Sequence, residues 1–571
     1  MMYTGLQLIE LLERQHQQRS QSGLFKKDSF TLLWRAKVGS FPHPDLETIV
    51  SAGEPCGAWR LRDGRRPEDK RNVGQNWDQL KTLPLNGYIP GSSIRGLVRA
   101  WAQKRSDILP RMYQLLGYQD NGTISAGKIE FLDAWPTTPT KLTLDIVNPQ
   151  QSFQVFHEGQ STPLSFYTLG DGQDTITLTV AIRGIPGKAT DAEVDEVWRW
   201  VQQALISYGA GSRTASGYGT LKYSSSLKQE QDPGYKVKQF DFILYSQGSA
   251  GPNMTTMELR PSHWRGWLRS WMLRFFLGVM SLEDAHRTVG ELLGTLEPES
   301  RKGCVRLQMF KGSTWGDRSE SHPSFYAWKG KLQISAPSDI LNTIVLPVIR
   351  FAVMLGGVGR GWRRPLHIFH MNNGRSAARG TYLTLTHRVQ NTTTQEWEPK
   401  SYGLPLDPNR WQRAYADWLV AVRDRWTDRV TVDNHNIIAE VFSPATCAVY
   451  ALPGPDTDPL QQYNWQQTDN AEATRGDGVY LIYQQNPPRN YKRNIDLGGN
   501  AAGGGNAHCS WVSIKRVKIP NRQEETDCQE IVCLFMGGQT PNGNHVRSRF
   551  LRDLNNMTGA IYLFGVQPPP G

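Results

Sequence analysis

Cysteine is scarce. The chain of 571 residues has six, Cys56, Cys304, Cys447, Cys509, Cys528 and Cys533, and no two form a CxxC pair. That spacing excludes a disulfide framework and a four-ligand zinc module, and it fits a reducing, cytoplasmic setting. His367, His370 and His508, beside the late cysteines, are likewise too loosely spaced for a zinc module, so metal ligands stay unassigned. Long apolar runs are also missing. The longest, Thr343 to Gly359, is broken by Pro347 and Arg350, and no membrane span is expected. Met1 to Arg19 mixes Glu10, Glu13 and Arg14 among Leu and Gln, without the order of a signal peptide. No GxSxG, HExxH, Walker loop or strand-to-helix GxGxxG supports one of the commoner enzyme classes.

What is present suits a globular protein of several domains. Hydrophobic residues make up 38% and aromatics 10%, with 19 Trp, which is ample for packed cores. At roughly 150 residues per domain the length predicts about three to four. Lys and Arg number 64 against 53 Asp and Glu, and the net charge of +11 favours a polyanionic partner without specifying one.

Three landmarks recur in order along the chain. Ile89-Pro-Gly-Ser-Ser-Ile-Arg-Gly-Leu-Val-Arg-Ala-Trp101 has a counterpart in Leu259-Arg-Pro-Ser-His-Trp-Arg-Gly-Trp-Leu-Arg-Ser-Trp271, so Arg95 and Arg99 match Arg265 and Arg269 at an offset of 170. Leu115-Leu116-Gly117 followed by the strand Gly127 to Phe131 matches Leu292-Leu293-Gly294 followed by Gly303 to Leu307, at an offset of 177 for the turn and 176 for the strand. A glycine-rich turn, Tyr208 to Gly219, is answered by Leu355 to Arg364. Ser29 to Phe41 and Gln239 to Ser246 read as opening strands, and Thr190 to Tyr208 and Asp339 to Leu355 as second helices. The fold class is therefore α+β: two tandem ferredoxin-like units (RRM-like, βαββαβ) with insertions. The expected domains are 1–230, with a long strand-to-helix loop, and 236–395. Residues 396–571, with an aromatic helix from Asn409 to Trp426, form an extension or a degenerate third unit. Ser224 to Tyr235 reads as the linker, and Gly498 to Asn506 as a flexible loop.

The helix that follows Pro90-Gly91-Ser92-Ser93 can be capped by a serine and present free N–H groups to a phosphate. Gly91 to Arg105 has four basic residues and no acid, and so has Arg260 to Arg274. The spacing puts Arg95 with Arg99, and Arg265 with Arg269, on one helix face each, as phosphate ligands or simply a solvated face. In the glycine turn, Gly209, Gly211, Ser212, Arg213 and Thr214 suit phosphate and ribose contacts and Tyr218 a stacked base, the alternative being an ordinary helix C-terminal cap. Arg360, Arg363 and Arg364 with Trp362 make a second basic-aromatic set.

On these motifs the chain resembles a tandem of two RAMP-superfamily proteins, the backbone subunits of type III CRISPR effector complexes. Ile89 to Gly96 is close to the family signature "IPGSSLKG", and Leu116-Gly117 with Gly127 to Ala134 is similar to its "FG…G…F.DA" strand. With Leu144-Asp-Ile-Val-Asn-Pro149, the first unit is most similar to the small RAMP subunit of the Cmr-type complex. Glu258 to Trp271 resembles the head-subunit helix "RPPSIRGALRFWW", departing from it at His263 and Trp264. The fusion is similar to type III-D variants, and coverage runs from about residue 25 to 390.

The resemblance implies a cytoplasmic module that binds CRISPR guide RNA and complementary target RNA and assembles with other type III effector subunits. It also implies target-RNA cleavage in some members, through an aspartate between first strand and first helix and a divalent metal, magnesium being expected. The first unit's connection, His43 to Tyr88, contains Asp45, Asp63, Asp69 and Asp78, whereas the second unit's, Gln247 to Leu259, has only Glu258. Asp78 leads as catalytic candidate, with Asp69 and Asp45 open. The competing reading makes all of them ordinary loop acids that balance local arginines. A standalone guide-processing or general endoribonuclease is the alternative function, with Tyr88 and His263 the nearest general bases, and a purely structural subunit is a third.

Overall fold

The computed structural model describes residues 5–37, 41–43, 46–50, 87–120, 122–146, 165–223, 227–246, 249–250, 257–295, 299–314, 326–359, 361–370, 376–391, 393–431, 440–455, 474–483, 491–499, 509–518, 528–537 and 545–569. The fold is α+β, and the chain gathers into two compact units, Met1–Tyr235 with Ser249–Pro261, and Lys236–Gly248 with Ser262–Gly571.

In the first unit, strand Phe25–Leu32 runs antiparallel to Ile176–Gly184 and, on its other side, to Leu221–Tyr223. Ile129–Phe131 adds to the far side of Ile176–Gly184. Counting strands along the chain, the order across the sheet is fourth, first, third, second. The period of two puts Phe30, Leu32, Leu178, Val180 and Ile182 on one face. There they meet Ile94, Val98 and Trp101 of helix Gly91–Ala102 and Val194, Val197 and Val201 of helix Asp191–Tyr208. Thr190 is not the first turn of that second helix but its N-cap. Its hydroxyl accepts from Glu193 N at 3.3 Å while the Glu193 carboxylate accepts from Thr190 N at 3.0 Å, a reciprocal capping box.

The opening strand starts at Phe25 and stops at Leu32, short of the expected Phe41, because the chain there changes partners: Ala36 bridges to Leu169 and Lys37 to Ser212. The segment expected as a polar linker is anchored near its end. Asp232 is buried and accepts from Lys104 Nζ and Tyr208 Oη, both at 2.7 Å.

The second unit holds two larger sheets. In one, Tyr235–Ser246, Arg306–Thr314, Tyr326–Pro337 and Tyr382–Gln390 again take the order second, third, first, fourth, and Trp397–Ser401 extends the edge. Its second helix, expected as one element from Asp339 to Leu355, is interrupted. Ile340–Val345 forms a wide turn before the regular helix Leu346–Leu355, since Pro347 has no N–H to donate to the preceding turn. In the other sheet, Cys447–Pro453, Val512–Lys518, Cys528–Phe535 and Ile561–Gly565 repeat that order once more, with helices Asp477–Tyr483 and His545–Asn555 between them. Aromatic rings fill the space between, with Phe442 stacked on Phe564 at 5.2 Å and on Phe275 at 4.6 Å.

Lys515 is a cation inside this unit, donating to the Leu383 carbonyl. Burial, and then the neighbouring Arg516, push its pKa down from 10.5 to about 7. Because the folded value is the lower one, the cost of charging it is present below about pH 7 and disappears as pH rises through the ordinary lysine range. Lys515→Met is therefore expected to raise the thermal midpoint at pH 6, with the difference from wild type shrinking steadily toward pH 10. Melting curves across that range test this, and a constant difference would refute it.

Candidate nucleic-acid interface

The repeated arginine pairs have a structural cause. Helix Leu109–Leu116 ends at Gly117, whose φ of 76° suits glycine, and its last carbonyls have no acceptor role within the helix itself. Arg95 donates to the Leu116 carbonyl, and Arg99 Nη1 to that of Gly117 at 2.5 Å. In the second unit Arg265 donates to the Leu293 carbonyl and Arg269 Nη1 to that of Gly294 at 3.2 Å, with Gly294 again left-handed. The first two landmarks of the repeat are thus one device, a basic helix face holding a Leu-Leu-Gly turn. Each of the four arginines thus has at least one donor committed to backbone.

The start of the helix also differs from expectation. Its N-cap is Pro90, with no side-chain cap, and the orphan N–H of Gly91 goes to Asp133 Oδ1 at 2.8 Å. Ser92 and Ser93 are exposed and cap nothing. Beside them Gly96 faces open space.

The glycine turn is built by backbone. Ala210 N donates to Gly219 O at 2.8 Å, Gly219 N to Arg35 O at 2.7 Å and Ser212 N to Lys37 O at 2.8 Å. A side chain at Gly219 would strike the Ala210 carbonyl at 1.7 Å and one at Gly211 the Lys37 carbonyl at 2.3 Å, which is why both are glycine. Gly211, Ser212 and Arg213 form the exposed outer arm, with Thr214 partly covered. Arg213 adopts φ 59°, uncommon for a residue with a Cβ, and lies near enough to Lys37 that, after burial, its charge is what lowers the Lys37 pKa.

Tyr218 is not available to stack a base. Only 3% exposed, it packs on Trp34 at 4.7 Å and donates its hydroxyl to Asp145 Oδ2 at 2.7 Å. Asp145 belongs to a buried network of four charges. Arg260 Nη2 reaches Asp145 Oδ1 at 2.7 Å and Arg260 Nη1 reaches Glu258 Oε2 at 3.1 Å. Arg35 Nη2 reaches Glu258 Oε1 at 2.7 Å, and Arg35 Nη1 donates to Thr168 Oγ1 and the Gly170 carbonyl, each at 3.1 Å. Burial alone would push the Asp145 carboxyl up, but Arg35, Arg260 and the hydrogen bonds outweigh it and hold the pKa low. Glu258, the second connection's lone acid, is consumed by this network. Residue-by-residue reading missed Arg35. The others stood in quoted motifs, but nothing in those motifs shows that they meet.

The second basic-aromatic set turns inward. Arg363 pairs with Glu440, its guanidinium 4.4 Å from the Trp362 ring, and Arg364 donates to the Val512 carbonyl at 2.6 Å and to Ser510 Oγ at 2.9 Å. Both thus spend donors on acceptors within the second unit. Arg360 lies outside the described residues, as do Asp45, Asp63, Asp69, Asp78 and His508. Among the described residues no group of three His, Cys, Asp or Glu could hold a metal ion. His367 is buried on the Pro365 carbonyl at 2.8 Å, its pKa lowered by burial to about 3. Tyr88 is buried and stacked on Trp135 at 4.5 Å, which does not favour it as a general base. No helix among the described residues is long and apolar enough to cross a membrane.

No family model and no curated protein matches the chain. Among solved structures it is similar to a chain of the type III-B Cmr-beta complex bound to cognate target RNA, at 16% identity and TM-score 0.23, over 38% of this chain and 65% of that one. It is also similar to a chain of a type IV-B CRISPR complex, at 14% identity and TM-score 0.21, over 36% and 93%. Cmr6 from Pyrococcus furiosus aligns at 17% identity and TM-score 0.18, over 35% and 98%. The chain thus spans just under two thirds of the first of these, and TM-scores of this size carry no argument from those chains to this one.

The network sets a clear expectation for Asp145. Removing one partner of a buried pair leaves the others uncompensated, so Asp145→Ala is expected to cost about 3–5 kcal/mol of stability. Because the folded pKa is depressed, the stabilisation is full above the ordinary carboxylate range and is lost as pH falls through the folded value. Asp145→Asn should accordingly flatten the acid limb of the stability curve below about pH 4. Denaturant titrations at pH 3 to 7 measure both; a variant curve parallel to wild type would refute the linkage.

Proposed function

We propose that this protein is an RNA-binding backbone subunit of a type III CRISPR ribonucleoprotein, built from tandem ferredoxin-like units, that holds guide RNA and complementary target RNA beside other effector subunits. The observation that carries the reading is the outer arm of the glycine turn. There Gly211, Ser212 and Arg213 are exposed beside Lys37, whose pKa is lowered by burial and then by the Arg213 charge. An exposed arginine with a second cation beside it suits an anion, and a phosphodiester is the anion that a net charge of +11 favours. Exposed Ser92 and Ser93 at a helix start offer further backbone-phosphate contacts. The motif resemblance supplies the class of RNA.

The double variant Lys37→Ala, Arg213→Ala should weaken retention of single-stranded RNA without sequence preference. It should also reduce the slope of log affinity against log salt by about 0.7 for each phosphate that the variant no longer neutralises. Filter binding at several salt concentrations reads both quantities. An unchanged slope would remove these two residues from the interface. Recovering the chain with its native partners and sequencing the bound RNA decides the class, since guides with a fixed repeat-derived 5′ tag are expected.

Cleavage, if this subunit performs it, belongs to the connection between His43 and Tyr88. Asp78→Ala is expected to abolish one cut of an end-labelled complementary RNA in magnesium while leaving RNA binding intact. Asp69→Ala and Asp45→Ala are the parallel tests. Retention of every cut by all three would assign a purely structural role. Glu258 carries no such expectation, because its carboxylate is spent on Arg35 and Arg260.

A further inference from the structure

We propose that four side chains around the Tyr402 ring, Lys238, Arg350, His387 and Lys400, form a binding site for a phosphomonoester. They lie in the second unit, where the sheet that includes Tyr235–Ser246 runs on past its own core. The period of two puts Lys238 on the face of Phe240, Phe242 and Leu244, and His387 on the face of Leu383 and Leu385. Phe242 pairs with Leu385 and Leu244 with Leu383, so the two strands share that face. Lys400 stands directly opposite His387 on the edge strand Trp397–Ser401. The core face therefore ends in three basic residues. Arg350 joins them from helix Leu346–Leu355, donating Nη2 to the Gly403 carbonyl at 3.4 Å.

Tyr402 gathers these groups. Lys238 Nζ lies 5.9 Å from the ring centre, the Arg350 guanidinium 5.8 Å and the His387 ring 5.1 Å. The ring is buried, packed on Phe240 at 4.6 Å, and its hydroxyl donates to the Leu346 carbonyl at 3.4 Å. Lys238 Nζ lies 3.1 Å from His387 Nδ1, and an ammonium can only donate, so the imidazole proton sits on Nε2 as a further donor. Acids are what this cluster lacks. Among the described residues no carboxylate lies within ion-pair distance of Lys238, Arg350 or Lys400, and those three are the charges that, after burial, lower the His387 pKa. Glu398, on the same face of the edge strand as Lys400, accepts from Asn391 Nδ2 at 2.8 Å.

Three permanent cations and an imidazole N–H beside one ring suit an anion of more than one charge. A carboxylate carries a single charge on two oxygens, whereas a phosphomonoester carries about −1.5 to −2 near pH 7 on three. A phosphodiester backbone also has one charge per residue, and a strand laid along this edge would meet Glu396 and Glu398, both exposed. A terminal phosphate fits the cluster better than either. The site is separate from the Lys37 and Arg213 arm and stands without the CRISPR reading. The monoester belongs either to a free small molecule or to the end of a nucleic-acid strand.

The full-length protein, in phosphate-free buffer, would be titrated calorimetrically with glycerol 3-phosphate, with glutarate, and with one short single-stranded oligoribonucleotide carrying either a 5′-phosphate or a 5′-hydroxyl. Glycerol 3-phosphate or the 5′-phosphate should add saturable binding at one site, and Lys400→Gln and Arg350→Gln should each weaken it about tenfold. Lys400→Gln should also raise the thermal midpoint of the free protein, because it removes a cation directly opposite His387. A gain in affinity from the 5′-phosphate that Lys400→Gln abolishes would support a strand end as the source. Saturable glycerol 3-phosphate binding with no such gain would support a free ligand. Equal binding of the two strands without saturable glycerol 3-phosphate binding at millimolar concentration would overturn the proposal. So would glutarate binding as tightly as glycerol 3-phosphate, or an affinity that Lys400→Gln leaves unchanged while the midpoint rises, the behaviour of a merely solvated face.

Discussion

Arg35, Asp145, Glu258 and Arg260 meet inside the first unit, and the candidate interface is arranged around them. Two cations and two anions balance, so the network adds no net charge to the interior, and Tyr218, Thr168 and the Gly170 carbonyl take up further donors and acceptors. Burying four charges is costly, and their attraction offsets that only when every partner is present. The consequence is positional. Tyr218 fixes one side of the glycine turn, and Gly217 beside it lies so close to Pro261 that an added Cβ would come within 2.1 Å. Arg35, two residues before Lys37, also takes Gly219 N on its carbonyl. The exposed arm with Arg213 is therefore held by a rigid base, although the arm itself is a loop.

The repeat is legible in the sequence because it is mechanical. A basic residue four positions after another, facing a Leu-Leu-Gly turn, recurs with its spacing intact since the same carbonyls need the same donors in both units. The alternating strands and the capped helix beginning after Thr190 are legible for similar reasons, each being set by local chemistry. The sheet from Cys447 to Gly565 is harder to see. Its first strand, Cys447–Pro453, is buried from Cys447 to Leu452, and burial on both faces erases the period of two that marks a half-buried strand, while Val512–Lys518 buries Lys515 and Arg516 among its apolar residues.

Burial of charge is what the sequence could not display. Arg363 and Arg364 beside Trp362 make the same string whether they face solvent or a neighbouring sheet. Their direction is decided by Glu440, Ser510 and the Val512 carbonyl, many residues away in the chain. Tyr218 misleads for the same reason: a tyrosine among glycines looks accessible until Asp145 is found 2.7 Å from its hydroxyl. Asp232 shows the converse, a polar segment expected to be a free linker and held instead by Lys104 and Tyr208.

These assignments bear on how the net charge should be read. Most of the arginines nominated for RNA are engaged by the protein itself, which weakens any argument from a count of basic residues. The first unit's core does not reduce the excess, because Arg35 and Arg260 are matched there by Asp145 and Glu258 and the surface gives up as many negative as positive charges. What marks a structural cation here is its partner. Arg99 meets a helix carbonyl and Arg260 a buried carboxylate, each an acceptor that the fold supplies. Lys37 and Arg213 stand together at the exposed arm, where burial and then the Arg213 charge lower the Lys37 pKa, and a polyanion there would meet both cations.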